Sequence, residues 1–545
     1  MLCYNAGMMP KTTDASHDVA KTPDAPKALS ATSSHVARSA VLVASLFASD
    51  KVLGLIRDAA VGHAFGASAE LDAYYAAFEL PDGLFTVIAG SAMATTLIPI
   101  LSAHIRRGEH DRAWRLVSAV INLALLLVAS VGIVAAVFAP DVIRAVAPGF
   151  DAQQVTLGAK LMRLVLLQTF LFTASGILVG VLRAYQHFLL PALAPLAYTL
   201  GRIAGVIWLA PRWGIFGLAW GGLGGAVIYF LVLLPGLIRF RARWTPTLVH
   251  PELRSVLALM GPRILGLGAT YLNFVLPTFL GSRLADGAIS AYEYGWRVMQ
   301  FPETIIGTAL GITVFPTLAD LANAGDRDGL RQTASWALRL MLALAVPAAM
   351  GLWVLGRPLT AMIFQRGAFG ATTTDRVYLG LQFFALGLIA HTALEVASRL
   401  FYAQRDMWTP LWAALGGLTT NAVLGWLLLS ELSHGAIALA NSLGAGVQVL
   451  FLLWIAHRRL DGIEGRALAL SLARTLAASL AMVLAVSGFR RLIGAEASTY
   501  LLGGGGMFVG GLTYLGAAIL LGSEEIRQLP ALLRRGPDAV DTLPG

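Results

Sequence analysis

Several ionisable side chains lie within stretches that are otherwise apolar enough to cross a bilayer. The first stretch contains Asp50, Lys51, Arg57 and Asp58 around Gly54. Asp50 and Arg57 are seven residues apart, and so are Lys51 and Asp58. On a helix, each pair therefore lies on nearly one face. A charged side chain at mid-bilayer costs at least about 2.5 to 3.5 kcal/mol on insertion scales, so each one needs a partner, water or a function.

Further charges of this kind follow in three later apolar stretches. The second apolar stretch of the chain carries Asp72 and Glu79, two carboxylates seven residues apart, before Pro81. The seventh stretch carries Arg263 just after a Gly-Pro pair. The eighth stretch carries Glu293, Arg297 and Gln300, at spacing i, i+4 and i+7, before Pro302. A kink is expected at Pro81.

Two hypotheses explain these charges. They could be ion pairs that neutralise one another and hold the helices together. Alternatively, they form an anion-binding cavity, because guanidinium groups offer forked donors that match phosphate oxygens. Since intramembrane charges usually line pathways, the sequence favours the cavity. Its predicted binding residues are Lys51, Arg57, Arg263 and Arg297, and its predicted supporting polar residues are Asp50, Asp58, Asp72, Glu79, Glu293 and Gln300.

The composition of the chain predicts a membrane protein. Hydrophobic residues make up 57% of the chain and charged residues 13%, whereas a soluble domain carries about 25% charged residues. Nearly the whole chain falls into apolar runs of about 20 residues, each long enough to cross roughly 30 Å of hydrocarbon. We therefore predict an all-α polytopic membrane protein with about 14 transmembrane helices, and a soluble enzyme is excluded.

No sequence feature indicates covalent chemistry or a bound cofactor. The single cysteine, Cys3, has no partner for a disulfide or a thiol metal site. We find no nucleophile motif, no Walker-type phosphate loop and no metal-ligand cluster, so we predict a transporter without a cofactor and without a metal. The net charge of +9 comes mostly from arginines in short loops, which is typical of membrane orientation rather than of nucleic-acid binding.

An internal repeat with a period of about 218 residues divides the chain. Segments 97–101 (LIPIL) and 108–111 (GEHD) are echoed by segments 314–318 (VFPTL) and 325–328 (GDRD). An offset of six helices gives both halves the same orientation, which predicts parallel, pseudo-symmetric repeats that rock about a central cavity. The predicted divisions are a leader over 1–34, six-helix halves over 35–245 and 246–460, two extra C-terminal helices over 461–525, and a tail over 526–545.

The distribution of basic residues predicts the orientation in the membrane. If the leader is inside, the cytoplasmic loops carry roughly twice as many Lys and Arg residues as the opposite loops. Both termini are therefore predicted to be cytoplasmic. The leader is rich in Lys, Thr, Ser, Ala, Asp and Pro and has no apolar centre, so we expect it to be disordered.

The chain resembles the MurJ (MviN) family of lipid II flippases, within the multidrug/oligosaccharidyl-lipid/polysaccharide exporter superfamily. The resemblance covers about residues 36–525 and implies a six, six, two arrangement of helices. It rests mainly on segments 52–59 (VLGLIRDA), 65–67 (FGA), 147–150 (APGF), 260–262 (MGP), 297–302 (RVMQFP), 307–311 (GTALG) and 401–406 (FYAQRD).

The resemblance also implies roles for individual residues. Lys51, Arg57 and Arg297 stand where cavity cations of the family bind the diphosphate and sugar head, and Asp58 and Asp72 match acidic positions. The two extra helices are implied to form a groove for the prenyl tail. The chain departs from the family pattern at Phe85-Thr86, where arginine is common, and at Gly90, Trp296 and Gln300, where acidic residues are expected.

We therefore predict a flippase of the bacterial inner membrane that moves lipid II from the inner to the outer leaflet by alternating access. Membrane lipids and cell-wall synthesis proteins are candidate partners, and nucleic acid is not. Three alternatives stay open. The chain could carry another polyprenyl-linked glycan. It could be an ion-coupled exporter of small amphipathic cations, for which an acid-dominated cavity is expected. It could also act as a scaffold that tolerates loss of Arg57 and Arg297.

Overall fold

The structure, a computed structural model, describes the backbone of residues 26–89, 91–462, 464–494 and 497–528. Within these ranges, the description leaves out the side chains of residues 26–44, 47, 89, 91–96, 259–267, 269 and 270. The regular structure of the described residues is entirely helical, with eighteen α-helices and four short π-helices and no strand. Most of the predicted leader and tail lies outside these residues.

The helices follow one another with short connections. Pro26 occupies the first position of α1, where its missing N–H costs nothing, so α1 begins ahead of the predicted boundary at residue 35. The α-helices are α1 (Pro26–Phe65), α2 (Ala69–Leu84), α3 (Ser91–Arg106), α4 (His110–Val137), α5 (Ala139–Val146), α6 (Ala152–Ala184), α7 (Leu189–Ala204), α8 (Ala210–Trp213), α9 (Ile215–Arg239), α10 (Leu253–Gly281), α11 (Ala288–Glu303), α12 (Ala309–Ala324), α13 (Arg327–Phe364), α14 (Ala371–Ala403), α15 (Trp408–Leu432), α16 (His434–Arg459), α17 (Gly465–Ile493) and α18 (Gly506–Leu520).

Eleven helical segments of the described chain are long and apolar enough to cross a membrane. Shorter apolar helices occur at Leu97–Arg106 and Tyr271–Gly281. Large hydrophobic side chains such as Ile133, Trp208 and Leu427 are exposed on the outside of the bundle, as a surface in contact with lipid requires. The predicted class, an all-α protein with many spans, is confirmed, whereas the number of fourteen spans stays a prediction.

Two π-helices lie at matching positions of the repeat. Pro81 lies inside α2, and the π-helix Phe85–Ala89 follows that helix. Pro302 lies inside α11, and the π-helix Thr304–Thr308 follows in the same way. Proline removes one backbone donor and clashes with the preceding turn, so irregular helix next to it is expected. The sequence repeat therefore has a local structural counterpart, while the division of the chain into halves stays a prediction.

A seam of glycines joins α7 to α9. A Cβ added at Gly205 would lie 2.6 Å from the Cα of Gly221, and a Cβ added at Gly225 would lie 2.8 Å from the carbonyl oxygen of Tyr198. Without side chains at these positions the two backbones can touch, which is how helices commonly pack in membranes. The seam fixes α7 firmly against α9.

Asp72 joins α2 to the beginning of α11. Its Oδ2 accepts a hydrogen bond from the Gly287 N–H at 2.8 Å, and its Oδ1 accepts from the Ser290 N–H at 2.7 Å and the Ser290 hydroxyl at 2.6 Å. The side chain is buried. A carboxylate is stabilised at a helix N-terminus because the free N–H groups point at it. At the same end of the bundle, the Ala368 N–H donates to the His63 carbonyl oxygen at 2.9 Å. We call this end, formed by residues 62–72, 287–290 and 366–369, the closed end.

The last two spanning helices pack on α13. A Cβ added at Gly506 would lie 2.7 Å from Leu355, so α18 approaches α13 closely. The Tyr514 hydroxyl donates to the Ala343 carbonyl oxygen, and Arg339 donates from Nε to Glu525 at 2.7 Å. These contacts anchor the C-terminal helices on the rest of the bundle.

The glycine seam predicts opposite results for two substitutions on α9. Gly221→Ala would place a methyl group 2.8 Å from the Gly201 carbonyl oxygen, whereas nothing lies within 4 Å of a Cβ at Gly224. We expect Gly221→Ala to lower the free energy of unfolding by roughly 1 to 3 kcal/mol and Gly224→Ala to match or exceed the wild type. Thermal unfolding of the purified protein measures both. Equal melting temperatures for the two variants would contradict the seam.

The Asp72 contacts predict a graded effect of substitution. Asp72→Ala leaves three donors without their acceptor, at a cost of about 2 kcal/mol or more. Asp72→Asn keeps the size and one accepting oxygen, so its cost should be smaller. Thermal unfolding in one detergent orders the three proteins. The assignment fails if Asp72→Ala unfolds at the wild-type temperature.

Candidate functional site

A cavity of about 1160 Å³ lies between α1, α11, α13, α17 and α18. One part of its wall is polar and charged, and the other part is apolar. Seven of the ten side chains predicted from sequence line the polar part, namely Asp50, Lys51, Arg57, Asp58, Glu293, Arg297 and Gln300. Because α1 and α11 are far apart in sequence, their packing is what brings these residues together.

Asp58 joins the two helices of the polar wall. Its Oδ1 accepts from Arg57 Nε at 2.9 Å and from Arg297 Nη1 at 2.5 Å. Arg297 Nη2 also lies 3.5 Å from Glu293, one turn earlier on α11. The side chains of Arg57, Asp58 and Arg297 are only 18%, 10% and 22% exposed. Their mutual attraction is therefore screened less than on an open surface, and removal of one partner would leave a costly unpaired charge.

Aromatic side chains hold Arg297 in place. The Cζ atom of Arg297 lies 5.3 Å from the centroid of the Tyr75 ring, within the range of a cation–π interaction. The preceding residue, Trp296, packs edge-on against His391 and Phe384 of α14, with ring centroids 5.2 and 5.3 Å away. Where the resemblance leads one to expect an acid, the chain thus uses a tryptophan to fix α11 against α14.

The remaining polar residues extend the wall along α1 and α11. Asp50 accepts a hydrogen bond from the Thr199 hydroxyl at 2.9 Å, which ties α1 to α7. Lys51 and Gln300 are exposed and line the cavity, so their side chains are accessible to a ligand. The wall carries as many basic groups as carboxylates: Lys51, Arg57 and Arg297 against Asp50, Asp58 and Glu293.

The apolar part of the cavity forms an arm between α13, α17 and α18. Its wall is built from aliphatic side chains, methionines and glycines, and Gly511 leaves it open because nothing lies within 4 Å of a Cβ there. We call this part the apolar arm. It is lined by Leu352, Leu355, Leu359, Met362, Met482, Val483, Val486, Met507, Gly510, Gly511 and Tyr514.

The other three predicted residues are placed differently. Asp72 binds the N-terminus of α11 at the closed end and does not line the cavity. Glu79 accepts a hydrogen bond from the Thr278 hydroxyl of α10 and is likewise absent from the cavity wall. The side chain of Arg263 lies outside the described residues. Within the described part of the chain, no group of three His, Cys, Asp or Glu side chains is placed to hold a metal ion.

Several ionisable residues within apolar runs were missing from the sequence prediction. Among the described ones are Asp82 on α2, Arg202 on α7 and Glu303 at the end of α11. Arg202 Nη2 donates to the Tyr74 hydroxyl at 3.3 Å, and Glu303 accepts from the Thr304 hydroxyl at 3.3 Å. The signal was present, because each is a charged residue within an apolar run, the criterion that identified Arg57 and Arg297.

Comparison with known proteins places the chain in a family. The family model described as "Lipid II flippase MurJ" matches residues 61–502. The lipid II flippase MurJ of Burkholderia cenocepacia is 31% identical over 425 residues, which cover 76% of this chain and 82% of that protein. A probable lipid II flippase MurJ of Bdellovibrio bacteriovorus is 26% identical over 508 residues, which cover 91% of this chain and 96% of that protein.

Solved structures share the fold. A lipid II flippase MurJ in an inward closed conformation superposes with a TM-score of 0.77 at 23% identity, covering 90% of this chain and all of that one. An inward-facing multidrug resistance transporter of the MATE family superposes with a TM-score of 0.62 at 14% identity, covering 75% of this chain and 94% of that one. The same helical architecture therefore occurs in both kinds of transporter.

The family match and the fold agree with each other. The matched relatives are bacterial, and the family consists of transporters rather than catalytic enzymes. Many of the described helices are long and apolar enough to cross a membrane. This chain is therefore a multi-span helical transporter that belongs to the Lipid II flippase MurJ family.

Proposed function

We propose that this protein moves lipid II from the inner to the outer leaflet of the bacterial inner membrane by alternating access. The observation that carries the proposal is one cavity whose charged wall continues into an apolar arm. A lipid with a diphosphate-linked glycan head and a long prenyl tail needs both environments at once. The names of the relatives from Burkholderia cenocepacia and Bdellovibrio bacteriovorus support lipid II as the substrate.

Arg57 and Arg297 are the proposed diphosphate ligands, with Lys51 beside them and Arg263 as a fourth candidate. A guanidinium group has five N–H donors. Arg57 uses Nε and Nη2 on Asp58, and Arg297 uses one donor each on Asp58 and Glu293. Both arginines keep donors for phosphate oxygens, which they match in geometry. In this proposal Asp58 and Glu293 orient the arginines, and Asp50 and Gln300 contact the rest of the head.

The apolar arm is the proposed site of the prenyl tail near the head group. Each CH₂ group left in water would cost about 0.8 kcal/mol, so a wall of aliphatic side chains beside the charged wall lowers the cost of moving the lipid. The contacts of α17 and α18 with α13 support this proposal, because they hold both helices beside the apolar arm. This supports a separate role for the predicted segment 461–525.

The proposed cycle uses the two predicted halves, 35–245 and 246–460, with both termini cytoplasmic. The closed end would part after the lipid is bound. Because the polar wall has equal numbers of basic groups and carboxylates, an added diphosphate makes the loaded site negative. Outward movement of negative charge is favoured by an inside-negative potential, by about 2.3 kcal/mol per charge per 100 mV.

The alternative of a small-cation exporter predicts an acid-dominated cavity. The polar wall instead carries three basic side chains against three carboxylates. Two arginines with unused donors suit an anion better than a cation. A flippase for another polyprenyl-linked glycan would use the same diphosphate site and the same arm, so the identity of the transported lipid separates it from lipid II transport.

The proposal predicts the outcome of complementation in a bacterium depleted of its lipid II flippase. We expect the wild-type chain to restore growth and Arg57→Ala and Arg297→Ala to fail, because each loses a diphosphate ligand and leaves Asp58 underpaired. Arg163→Ala is the matched control, since Arg163 is exposed and donates to the Ala136 carbonyl oxygen away from the cavity. Membrane levels of all variants are compared by immunoblot.

Two results of this experiment would contradict the proposal. Growth with Arg57→Ala at the wild-type level would favour the scaffold, which tolerates loss of the arginine. Failure of a well-expressed wild-type chain, together with a different glycan lipid among its co-purified lipids by mass spectrometry, would favour another polyprenyl-linked substrate.

A second pair of variants tests the apolar arm. Gly511→Trp fills the arm from α18, whereas Gly516→Trp adds the same ring outside the cavity wall, and nothing lies within 4 Å of a Cβ at either position. Displacing two CH₂ groups of the tail costs about 1.6 kcal/mol, so we expect roughly tenfold slower transport for Gly511→Trp and the wild-type rate for Gly516→Trp. Outer-leaflet lipid II, labelled with an impermeant reagent, reports the rate. Equal rates would rule out a tail in the arm.

A further inference from the structure

A buried histidine joins three segments at the end of the bundle opposite the closed end. α2, the π-helix Phe85–Ala89 and α3 lead from the closed end to Arg106, and His104 lies in the last turn of α3, 4% exposed. Its Nδ1 lies 2.7 Å from Glu109 Oε2, just before α4, and its Nε2 lies 2.8 Å from Glu252 Oε2, just before α10. These three residues lie outside the eleven helical segments that could cross a membrane. Both carboxylates are partly exposed, so water can reach the cluster.

The two distances determine the protonation state of the ring. A neutral imidazole has one N–H donor and one acceptor nitrogen, an imidazolium has two donors, and an ionised carboxylate only accepts. Both contacts of His104 are therefore hydrogen bonds only while the ring is protonated. The hydrogen bond to Glu252, and then that to Glu109, raises the pKa of His104 above its ordinary value, although burial acts in the opposite direction. Both bonds are thus complete below the raised pKa, and one of them is lost as the pH rises through it.

Loss of the proton releases Glu252 rather than Glu109. Glu109 is only five residues from His104, and Arg112 Nη1 lies 3.5 Å from its other carboxylate oxygen. In the part of the chain that the structure describes, Glu252 has no basic partner at ion-pair distance except His104. The Glu252 side chain is also the more exposed, 38% against 29%. A neutral ring that keeps its donor on Glu109 presents a lone pair to Glu252, which then turns to water.

Residues 240–252, here called the linker, connect α9 to α10 and are also held to α4 by neutral groups. Asn122 of α4 donates to the carbonyl oxygens of Thr245 and Thr247, both at 2.9 Å. The Thr245 N–H donates to the Ser118 hydroxyl at 3.1 Å. These bonds do not depend on pH, and they fix the linker to the first predicted half as far as Thr247. Release of Glu252 therefore loosens only the part that leads into α10, the first helix of the second predicted half.

The charges around His104 come from α3, α4 and the linker. At ion-pair distance, His104 and Arg112 balance Glu109 and Glu252, so loss of the proton leaves one negative charge in excess. The Glu252 N–H donates to Nδ1 of His250 at 3.3 Å, so this second ring accepts at that nitrogen. The groups whose charges act on His104 or on its neighbours are Arg107, Glu109, Arg112, Arg115, His250 and Glu252.

We propose that His104 is a pH-sensitive clamp between the two halves. When protonated, it holds the beginning of α10 against α3 and α4, and when deprotonated, it releases Glu252 and lets this end of the bundle move. Movement of one half against the other must change the contacts between them, so the clamp controls how readily the transport cycle proceeds. This control rests on the proposed function and takes this end as the cytoplasmic one. A rise in cytoplasmic pH then speeds transport.

Amide hydrogen exchange of the protein in nanodiscs, followed by mass spectrometry, measures the clamp without any transported lipid. Protection factors, corrected for the intrinsic effect of pH on exchange, are compared at about pH 6 and about pH 9. Because one charge-assisted hydrogen bond is lost, we expect the protection of residues 248–258 to fall about tenfold at the higher pH. The protection of residues 215–239 on α9 should stay constant in every variant, which shows that the fold is intact.

Four variants separate the ring from its surroundings. His104→Gln should give low protection of residues 248–258 at both pH values. Glu252→Gln should give high protection at both, because a neutral ring can donate to Glu109 and accept from the introduced amide group. His110→Gln and His250→Gln each remove a neighbouring ring and should keep the change seen in the wild type.

The outcomes separate the clamp from the proposed function. Wild-type protection that does not change with pH, or a change that persists in His104→Gln, would overturn the clamp. Transport of lipid II, labelled in the outer leaflet, should be faster at the higher pH for the wild type and equally fast at both for His104→Gln. The same pH dependence in both proteins would overturn control of the cycle by His104. A wild type that moves no lipid II, but whose exchange follows the expected pattern, would overturn the proposed function and support the clamp.

Discussion

The bundle interior is organised around the carboxylate of Asp58, which binds two arginines from helices that are far apart in sequence. Arg57 comes from α1 and Arg297 from α11, and both donate to the same oxygen. Without this shared acceptor, two partly buried positive charges would repel each other in a medium that screens them weakly. The same residues therefore form the ion pairs that hold the helices together and line the cavity with guanidinium donors. The two hypotheses for the intramembrane charges, ion pairing and a cavity, describe one set of side chains.

Much of the polar wall could be predicted from sequence, because charged residues in apolar runs are conspicuous and their spacing gives the helix face. Arg57, Asp58, Glu293 and Arg297 were identified in this way. Spacing does not give the partner, however. Asp72 shares the seven-residue spacing with Glu79, yet it binds the N-terminus of α11 more than 200 residues later. Its role depends on how two helices meet, which no local pattern encodes.

The apolar arm was predictable only through the resemblance. Its residues on α13, α17 and α18 are aliphatic like most of the chain, so composition cannot distinguish a lipid groove from ordinary helix packing. What makes it a cavity is the position of the glycines. Gly506 allows α18 to touch Leu355 of α13, whereas Gly511 faces open space within the same helix. The change from close contact to open space thus takes five residues, about one and a half turns of α18.

The hydrogen bonds that Asp72 accepts at the closed end have a consequence for the rate of repeated transport. Two of the donors are backbone N–H groups and one is a hydroxyl, and all three are groups that water can satisfy equally well once it reaches them. Separation of α2 from the N-terminus of α11 therefore exchanges each hydrogen bond of Asp72 for one to water. The carboxylate is not left unpaired in hydrocarbon. The contacts at the closed end can therefore be strong while water is excluded and can still break readily once water enters. Repeated opening of this end during transport then has no large free-energy cost.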